Sequence, residues 1–402
     1  METEKRVVYF NTKKRLPIIK VDLTTELPTK KRNNRLGIHV YYDESSNHVK
    51  PIVEKNGDIV LFFLGRPFYG DSKHIIKLYT LYGMQYVLKK LQGVFTFILL
   101  DQSYQNDHSV MYIVSDPFGT IPIYYQEMED GTLQFSTTKS AAITTTGRTQ
   151  IRVPTASYCK LVYTNKVSSV WSFDPEDSIP SYHRETRQWV YPKRRFRYFK
   201  YRNILEGVNP FSLVPYSSEK SPMQDIIKAV ERSIANAMEY RLMNFTQRPI
   251  YCIGNPEDPE FQYMKQALFN IDIPKNDIFV IHVESIRDSK CLEYLAEVLG
   301  RDNTKTPITI FTSSGFVLAE SEAPRNPDQT VLDYDAAMYI ILEQLVPTRI
   351  IPEIIEPLQQ LGVLVEFPFL EEKWLTYYFS ILPQIRQNFP LKKILEDLTT
   401  AF

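Results

Sequence analysis

Residues 91–125 decide the fold of the N-terminal half. They begin Leu-Gln-Gly-Val-Phe-Thr-Phe at 91–97, reach an acidic residue at Asp101, and end Ser-Asp-Pro-Phe-Gly-Thr-Ile-Pro-Ile-Tyr-Tyr at 115–125. The apolar runs at 94–100 and 111–114 have the length and the aromatic and β-branched content of buried strands. The Asp-Pro-Phe-Gly sequence that follows the second run is typical of a tight turn. The stretch therefore predicts two buried strands and a tight loop.

Short alternating segments surround this stretch and predict a layered domain. Further strands are predicted at 37–42, 59–63, 121–125 and 133–136, with a helix at 73–91 between them. Strands on both sides of a helix indicate a layered α/β sandwich.

The C-terminal half alternates strands with helices. After Pro222, a first-turn helix residue, an amphipathic helix is followed by predicted strands at 249–253, 278–283 and 308–311. Helices are predicted from Pro259 and at 290–299, and residues 333–398 are expected to be mostly helical. This order implies a doubly wound parallel sheet. The predicted organisation is a basic arm (1–34), a sandwich (35–171), a basic aromatic linker (172–216) and an α/β domain (217–402).

The overall composition is that of a folded protein without a strong net electrostatic field. The 402 residues have a formal net charge of zero and are 43% hydrophobic, which favours neither nucleic acid nor a membrane surface. No apolar run is long enough to span a bilayer, so we expect no membrane span and a soluble, cytoplasmic protein. The three cysteines and six histidines have neither disulfide-framework nor metal-site spacing. No metal site is therefore expected.

Two basic segments are candidate contact surfaces. Residues 1–35 carry ten Lys and Arg against four Asp and Glu, and residues 184–202 alternate basic with aromatic side chains. Three interpretations are open. The segments are solvated termini and linkers, or they are surfaces for other protein chains in an assembly. Alternatively, they bind single-stranded nucleic acid, and that binding would depend on Arg194, Arg195 and Arg197.

The stretch at 91–125 resembles the glutaminase domain of the glutamine-hydrolysing asparagine synthetase family. In that family a Leu-x-Gly-x-Phe-x-Phe strand and a closing Asp precede Arg-Asp-x-x-Gly-x-x-Pro-Leu-Tyr-Tyr; here Ser115 replaces the Arg. Residues 365–375 resemble the family's Val-Glu-x-Arg-x-Pro-Phe-Leu-Asp segment, again without its Arg. The resemblance implies a class II amidotransferase-like αββα sandwich followed by a doubly wound, adenine-nucleotide-hydrolase-like synthetase domain.

By this resemblance the glutaminase site is degenerate. The family uses an N-terminal Cys as nucleophile and its free amine as base, whereas Leu36 stands at the matching position behind a 35-residue extension. The oxyanion Asn-Gly pair corresponds to Leu64-Gly65, and only Asp71 remains of the Gly-Ser-Asp that holds the glutamine. Gly65 and Asp71 are therefore vestigial substrate-binding positions, and no catalytic residue is assigned.

By the same resemblance, the segments that match the family's nucleotide-binding site are also degenerate. Its Ser-Gly-Gly-Leu-Asp-Ser-Ser phosphate loop corresponds to residues 254–260, where Gly254 and Asp258 are vestigial, two prolines remove amide donors, and Glu257 and Glu260 are expected to repel phosphate. The family's acidic magnesium loop corresponds to residues 312–318, which keep Ser313 and Gly315 but have no carboxylate before Glu320. Lys392 corresponds to a phosphate-contacting lysine.

These residues predict an asparagine synthetase-like pseudoenzyme that acts as a structural or binding component of a larger assembly, through residues 1–34 and 184–202. No cofactor is expected. The first alternative is an ammonia-dependent amide ligase, which would need ATP and Mg²⁺. The second is a nucleic-acid-binding protein that uses its basic segments.

Overall fold

The computed structural model divides into two compact units, residues Met1–Tyr201 and Arg202–Phe402. It describes residues 18–22, 37–41, 52–67, 72–102, 108–127, 133–136, 151–164, 171–172, 181–183, 188–190, 198–200, 223–243, 249–270, 274–284, 289–300, 308–322, 331–359, 361, 363–381 and 383–400. The first unit is rich in sheet, and the second carries a parallel sheet with helices.

The smaller sheet of the first unit has five antiparallel strands in the order β2-β1-β8-β7-β9. Their bounds are β1 Ile18–Asp22, β2 Gly37–Tyr41, β7 Tyr124–Glu127, β8 Leu133–Ser136 and β9 Ile151–Arg152. Strand β1 lies between β2 and β8, within the segment predicted as a basic arm. That part of the arm is instead sheet, because Ile18, Ile19 and Val21 supply apolar strand positions; the rest of residues 1–34 lies outside the described residues.

The larger sheet of the first unit is also antiparallel, in the order β11-β10-β6-β5-β4-β3, with β14 on β10. Its strands are β3 Ile52–Asn56, β4 Ile59–Pro67, β5 Gly93–Asp101, β6 His108–Ser115, β10 Ser157–Thr164, β11 Trp171–Ser172 and β14 Tyr198–Lys200. The two buried strands predicted within residues 91–125 are therefore confirmed, and they pair with each other, with Phe97 opposite Val114 across β5 and β6.

Alternating side chains of the larger sheet build two cores. Phe62, Ile98 and Ile113 point to the smaller sheet and pack with its buried residues. Their neighbours face helices α1 (Ser72–Tyr82) and α2 (Met84–Lys90). Two packed sheets with helices over one of them agree with the predicted mixed α/β sandwich. Within the described ranges no helix covers the outer face of the smaller sheet.

Two element bounds in the first unit differ from prediction. The helix predicted at 73–91 is broken at Gly83, whose φ of 79° lies in the left-handed region and ends α1. The strand predicted at 121–125 begins only at Tyr124, because Pro122 has no amide hydrogen for a ladder.

The segment predicted as a basic aromatic linker contains strands. β12 (Ser181–His183) pairs with β13 (Gln188–Val190), and β14 joins β10 in the larger sheet. Residues 191–197, including Arg194, Arg195 and Arg197, lie outside the described residues, as does most of the remainder of the predicted linker.

The second unit is built on four parallel strands in the order β16-β15-β17-β18. These are β15 Ile250–Gly254, β16 Ile278–His282, β17 Thr309–Thr312 and β18 Leu364–Glu366. The first three match the predicted strands, and the fourth lies in the segment expected to be mostly helical. Three-residue β18 is too short to give a periodic signal.

Helices account for most of the rest of the second unit. They are α3 Met223–Met243, α4 Pro259–Asn270, α5 Ser289–Gly300, α6 Phe316–Glu322, α7 Val331–Ile340, α8 Ile351–Gln359, α9 Glu372–Ser380, α10 Pro383–Asn388 and α11 Leu391–Thr400. A π-helical segment, Ile341–Ile350, joins α7 to α8. Within the described residues, no helix is both long and apolar enough to cross a membrane.

The strand order places a switch point between β15 and β17. The chain runs from β15 to its neighbour β16 on one side and then returns to β17 on the other. In open parallel sheets, ligands bind at the carboxyl ends of strands where the order reverses. The loops that leave Gly254 and Thr312 therefore form the place where a ligand site is expected, and they define the switch-point site.

Candidate functional site

In the first unit, the tight loop after β6 is organised by the buried carboxylate of Asp116. It accepts hydrogen bonds from the backbone amides of Phe118 (2.8 Å) and Thr120 (3.2 and 3.1 Å), from the Phe95 amide on β5 (3.3 Å) and from the Thr120 hydroxyl. Its backbone carbonyl accepts the amides of Gly119 and Ala156. Burial raises the pKa of Asp116, and these donors oppose that shift. The carboxylate therefore fixes the loop.

Gly65, predicted as a vestige of the oxyanion segment, has a packing role. Its φ is 102°, and a Cβ there would lie 2.2 Å from the Val94 carbonyl oxygen and 2.7 Å from Ile121 Cδ1. Leu64, which precedes it, is buried in the core. The glycine is thus required by a close approach of β4 to β5 and to the loop before β7.

We expect Gly65→Ala to destabilise the first unit by about 2–3 kcal/mol, because the methyl group meets a backbone carbonyl and a left-handed φ together. The matched control is Gly57→Ala: Gly57 also has a positive φ, 59°, but has open space around it, so it should cost about 1 kcal/mol. Urea unfolding followed by amide hydrogen exchange in β4 and β5 measures both. Equal losses in the two variants would contradict the packing role.

Two other predicted positions of this site, Leu36 and Asp71, lie outside the described residues. Ser115, which replaces the family's Arg, is buried at the end of β6 and lies opposite Thr96 on β5. Among the predicted glutaminase-site positions that the structure describes, Leu64 and Ser115 are therefore buried in the core, and Gly65 serves packing.

In the second unit, the backbone amides of residues 256–260, in the loop that leaves β15, are either absent or already hydrogen-bonded within the loop. Residues 256 and 259 are prolines, and the Glu257 amide donates to Asn255 Oδ1 at 2.9 Å. The Asp258 amide donates to the Asn255 carbonyl at 3.0 Å, and the Glu260 amide to Asp258 Oδ1 at 2.9 Å. A phosphate-binding loop needs such donors turned toward its ligand; here they point into the loop.

Glu260, at the start of α4, bonds through its side chain to the facing segment that leaves β17. Its carboxylate is completely buried and accepts the Ser314 amide at 2.6 Å, the Val317 amide at 2.8 Å and the Ser314 hydroxyl at 2.9 Å. Burial and then the neighbouring Asp258 carboxylate raise the pKa of Glu260 to about 8. This side chain cross-links the two loops of the switch-point site.

The other predicted positions of the switch-point site, Asp258, Ser313 and Lys392, interact with groups of the protein itself. The Asp258 carboxylate caps the start of α4 and is bonded by the Ser313 side chain. Burial raises the pKa of Asp258, while Ser313 and the more distant charge of Lys392 oppose the shift. Lys392 itself lies 3.9 Å from Glu396 on the exposed side of α11.

Gly254, predicted as a vestige of the phosphate loop, and Gly315, predicted as a vestige of the magnesium loop, are needed for packing. A Cβ on Gly254 would lie 2.5 Å from the Phe261 ring. A Cβ on Gly315 would lie 2.8 Å from Ile350 Cγ2. Each glycine therefore leaves room for a bulky side chain of the second unit that packs against it.

Glu320, the first carboxylate after the loop that leaves β17, lies in the protein interior and is held there. It accepts the hydroxyls of Tyr334 (3.0 Å) and Tyr378 (2.6 Å) and the Leu391 amide (3.0 Å). It thereby joins α6 to α7, α9 and α11. Among the described residues, no group of three or more His, Cys, Asp and Glu side chains is placed to hold a metal ion.

The residues of the switch-point site do not fit Mg²⁺ and the phosphates of ATP. The loop amides bond internally, and the Ser314 and Val317 amides already bind a carboxylate of the chain itself. An incoming phosphate would also meet the buried acidic side chains of Asp258 and Glu260, with Lys392 as a cation that acts on Asp258.

Comparison with known proteins gives a family match that lies within the first unit. Residues 14–172 match the family model of a glutamine amidotransferase domain. The N-terminal half contains a glutamine amidotransferase-like domain. No curated protein is significantly similar to the chain in sequence. Among solved structures, glutamine phosphoribosylpyrophosphate (PRPP) amidotransferase from B. subtilis, complexed with ADP and GMP, is matched at 10% identity over 81% of this chain and 73% of that one, with a TM-score of 0.27. That likeness is too low to bear on function.

The family match begins at residue 14, whereas the sequence predicts a domain start at residue 35. Strand β1 lies between these two positions and pairs within the smaller sheet.

At the switch-point site, Glu260 was predicted to present charge to a phosphate. It is instead buried and accepts hydrogen bonds from Ser314, which lies in segment 312–318 but was not among the predicted site residues. The only sequence signal was a glutamate directly after a helix-starting Asp-Pro.

Proposed function

We propose that this chain is an asparagine synthetase-like pseudoenzyme that serves as a structural or binding component of a protein assembly. The single observation that supports this best is the loop at the carboxyl end of β15. Between residues 256 and 260, each position is either a proline or has its amide bonded within the loop. A phosphate-binding loop works through free amides, and this one offers none at those positions.

The amidotransferase-like domain supports the same proposal by a different chemical argument. The position that matches the family's nucleophile is Leu36, whose side chain has no atom that can attack an amide carbon. Cleavage of the chain before it would expose only leucine. Gly65, which matches the oxyanion segment, serves packing against Val94 and Ile121.

What the chain retains is a folded scaffold in which three buried carboxyl groups are hydrogen-bonded. Asp116, Glu260 and Glu320 each accept three or more hydrogen bonds, and each has at least one donor from a separate segment. Such buried networks stabilise a unique fold. A scaffold maintained without its reaction suits a component that other protein chains recognise, through surfaces that include residues 1–34 and 184–202.

Two assays on the full-length protein test the proposal. Glutamate release from glutamine, and heat of binding during titration with ATP and Mg²⁺, are measured beside an active glutamine-hydrolysing asparagine synthetase. We expect glutamate at the level of the protein-free blank and no saturable heat. Glutamine hydrolysis above blank would refute the first half of the proposal. Saturable binding of Mg·ATP, or pyrophosphate release with aspartate and ammonia, would favour an ammonia-dependent ligase.

A further inference from the structure

Helices α1 and α2 present an exposed face of uniform charge. Their solvent-facing charged residues are all basic, and residues 72–90 contain no Asp or Glu. The exposed basic side chains are Lys73, His74, Lys77, Lys89 and Lys90. Glu54 of β3 lies at the start of α1, where it accepts the Ser72 hydroxyl at 3.1 Å. We call the outward surface of residues 73–90 the α1–α2 face.

Large apolar side chains lie within this basic surface. Leu81 and Tyr82 are 59% and 60% exposed, and Tyr86 is 37% exposed. The rings of Tyr82 and Tyr86 lie 4.6 Å apart, and the Lys90 ammonium lies 5.9 Å from the Tyr86 ring. Lys73, Lys77 and Leu81 follow one another at a spacing of four and so share one side of α1. The exposed apolar and basic groups are therefore contiguous.

Packing of the domain does not require these exposed side chains. The inner side of the two helices is filled by Ile75, Ile76, Met84, Val87 and Leu88, all buried against the larger sheet. Three large apolar side chains that remain outside this core form a patch of the kind that marks a binding surface. Tyrosine is also enriched among the residues that carry binding energy at interfaces.

We propose that the α1–α2 face binds an acidic segment of a partner protein that carries an apolar anchor residue. This inference rests on the proposed function as an assembly component and names a surface and a partner chemistry for it. Carboxylates of the segment meet Lys73, Lys77, Lys89 and Lys90. The apolar anchor packs on Leu81 and the Tyr82–Tyr86 pair.

The geometry favours a protein segment over nucleic acid. All four full cations are lysines, which attract carboxylates and phosphates alike, so charge alone does not choose between the two partners. The exposed apolar side chain does: aliphatic Leu81, 59% exposed, offers no ring on which a base could stack and suits an apolar anchor residue.

A binding assay with the full-length protein tests this surface. The probe is a fluorescein-labelled peptide in which Glu alternates with Leu and Phe; a matched peptide replaces Leu and Phe with Ser, and a labelled oligouridylate represents RNA. We expect binding of the first probe that weakens with salt, and binding about tenfold weaker both for Lys77→Glu/Lys90→Glu and for Leu81→Ser/Tyr82→Ser.

The control is Lys228→Glu/Lys275→Glu, which makes the same charge change at exposed lysines of the second unit and should leave peptide affinity unchanged. Circular dichroism confirms folding of each variant. The proposal is overturned if the acidic apolar peptide does not bind, if the Ser-substituted peptide binds equally well, if the control weakens binding as much, or if only RNA binds. If the peptide does not bind and the protein also shows no enzymatic activity, only the proposed binding surface is refuted. If the protein shows enzymatic activity, the proposed function is refuted, whether or not the peptide binds.

Discussion

Glu260→Ala is expected to destabilise the second unit by about 3–5 kcal/mol. The substitution leaves the Ser314 amide, the Val317 amide and the Ser314 hydroxyl without the acceptor they now share, and each buried donor left unsatisfied costs about 1–3 kcal/mol. It also opens a cavity at a site where Glu260 is completely buried. The two loops of the switch-point site then lose their cross-link.

Trp374 offers a direct reading of this effect, because it is buried in the second unit and the other tryptophans, Trp171 and Trp189, lie in the first. In a Trp171→Phe/Trp189→Phe background, urea unfolding followed by fluorescence reports on the second unit alone. Glu257→Ala, in the same loop but exposed, is the control and should change stability by less than about 0.5 kcal/mol. Similar losses for both variants would show that the buried cross-link is unimportant.

Glu260→Gln separates the charge of this side chain from its packing. The folded-state pKa of Glu260 is raised to about 8 from an ordinary 4.5, so the folded protein holds a proton that the unfolded chain releases. The stability contributed by that proton is fully present below about 4.5 and is lost as the pH rises through about 8. The free energy of unfolding of the native protein minus that of Glu260→Gln should therefore fall between pH 5 and 9. A constant difference would show that Glu260 is ionised throughout.

The second large effect is expected at Asp116. Asp116→Ala removes the acceptor for the Phe95, Phe118 and Thr120 amides and for the Thr120 hydroxyl, all buried. We expect a loss of about 3–5 kcal/mol in the first unit and an open loop between β6 and β7. Asp116→Asn should lie between Ala and the native residue, because its amide nitrogen cannot accept from these donors.

Hydrogen exchange in β5 and β6, measured as a function of urea, reports the loss in the first unit. Tyr79→Phe is the control, since it removes one buried hydrogen bond, from the Tyr79 hydroxyl to Asp101 Oδ2 at 2.8 Å, and should cost about 1 kcal/mol. If Asp116→Ala cost no more than Tyr79→Phe, the carboxylate would not be the organising group of the loop.

Much of the fold could be predicted because it depends on local pattern. Phe97 and Ile98 alternate between two cores, and strands of this kind carry their period in the sequence. Strand β1 was missed because its apolar residues sit within a basic, polar segment and its stability comes from β2 and β8 on either side. The break at Gly83 was missed because one glycine does not always end a helix.

The site was less predictable because its contacts join distant parts of the chain. Glu260 bonds residues 54 and 57 positions away. A sequence shows that Glu260 is acidic; it does not show that amides of another loop surround it. The prediction at Leu36, by contrast, depends on residue type and on the resemblance alone, and it stays a prediction because Leu36 lies outside the described residues.

The measurement that tests the central claim most directly is a calorimetric titration of the full-length protein with ATP in the presence of Mg²⁺. The structure gives the loop of residues 256–260 no free amide for phosphate and fills the facing loop with the Glu260 carboxylate. We therefore predict heats equal to those of dilution at every ATP concentration. A saturable isotherm that Asp258→Ala or Lys392→Ala abolishes would contradict the account.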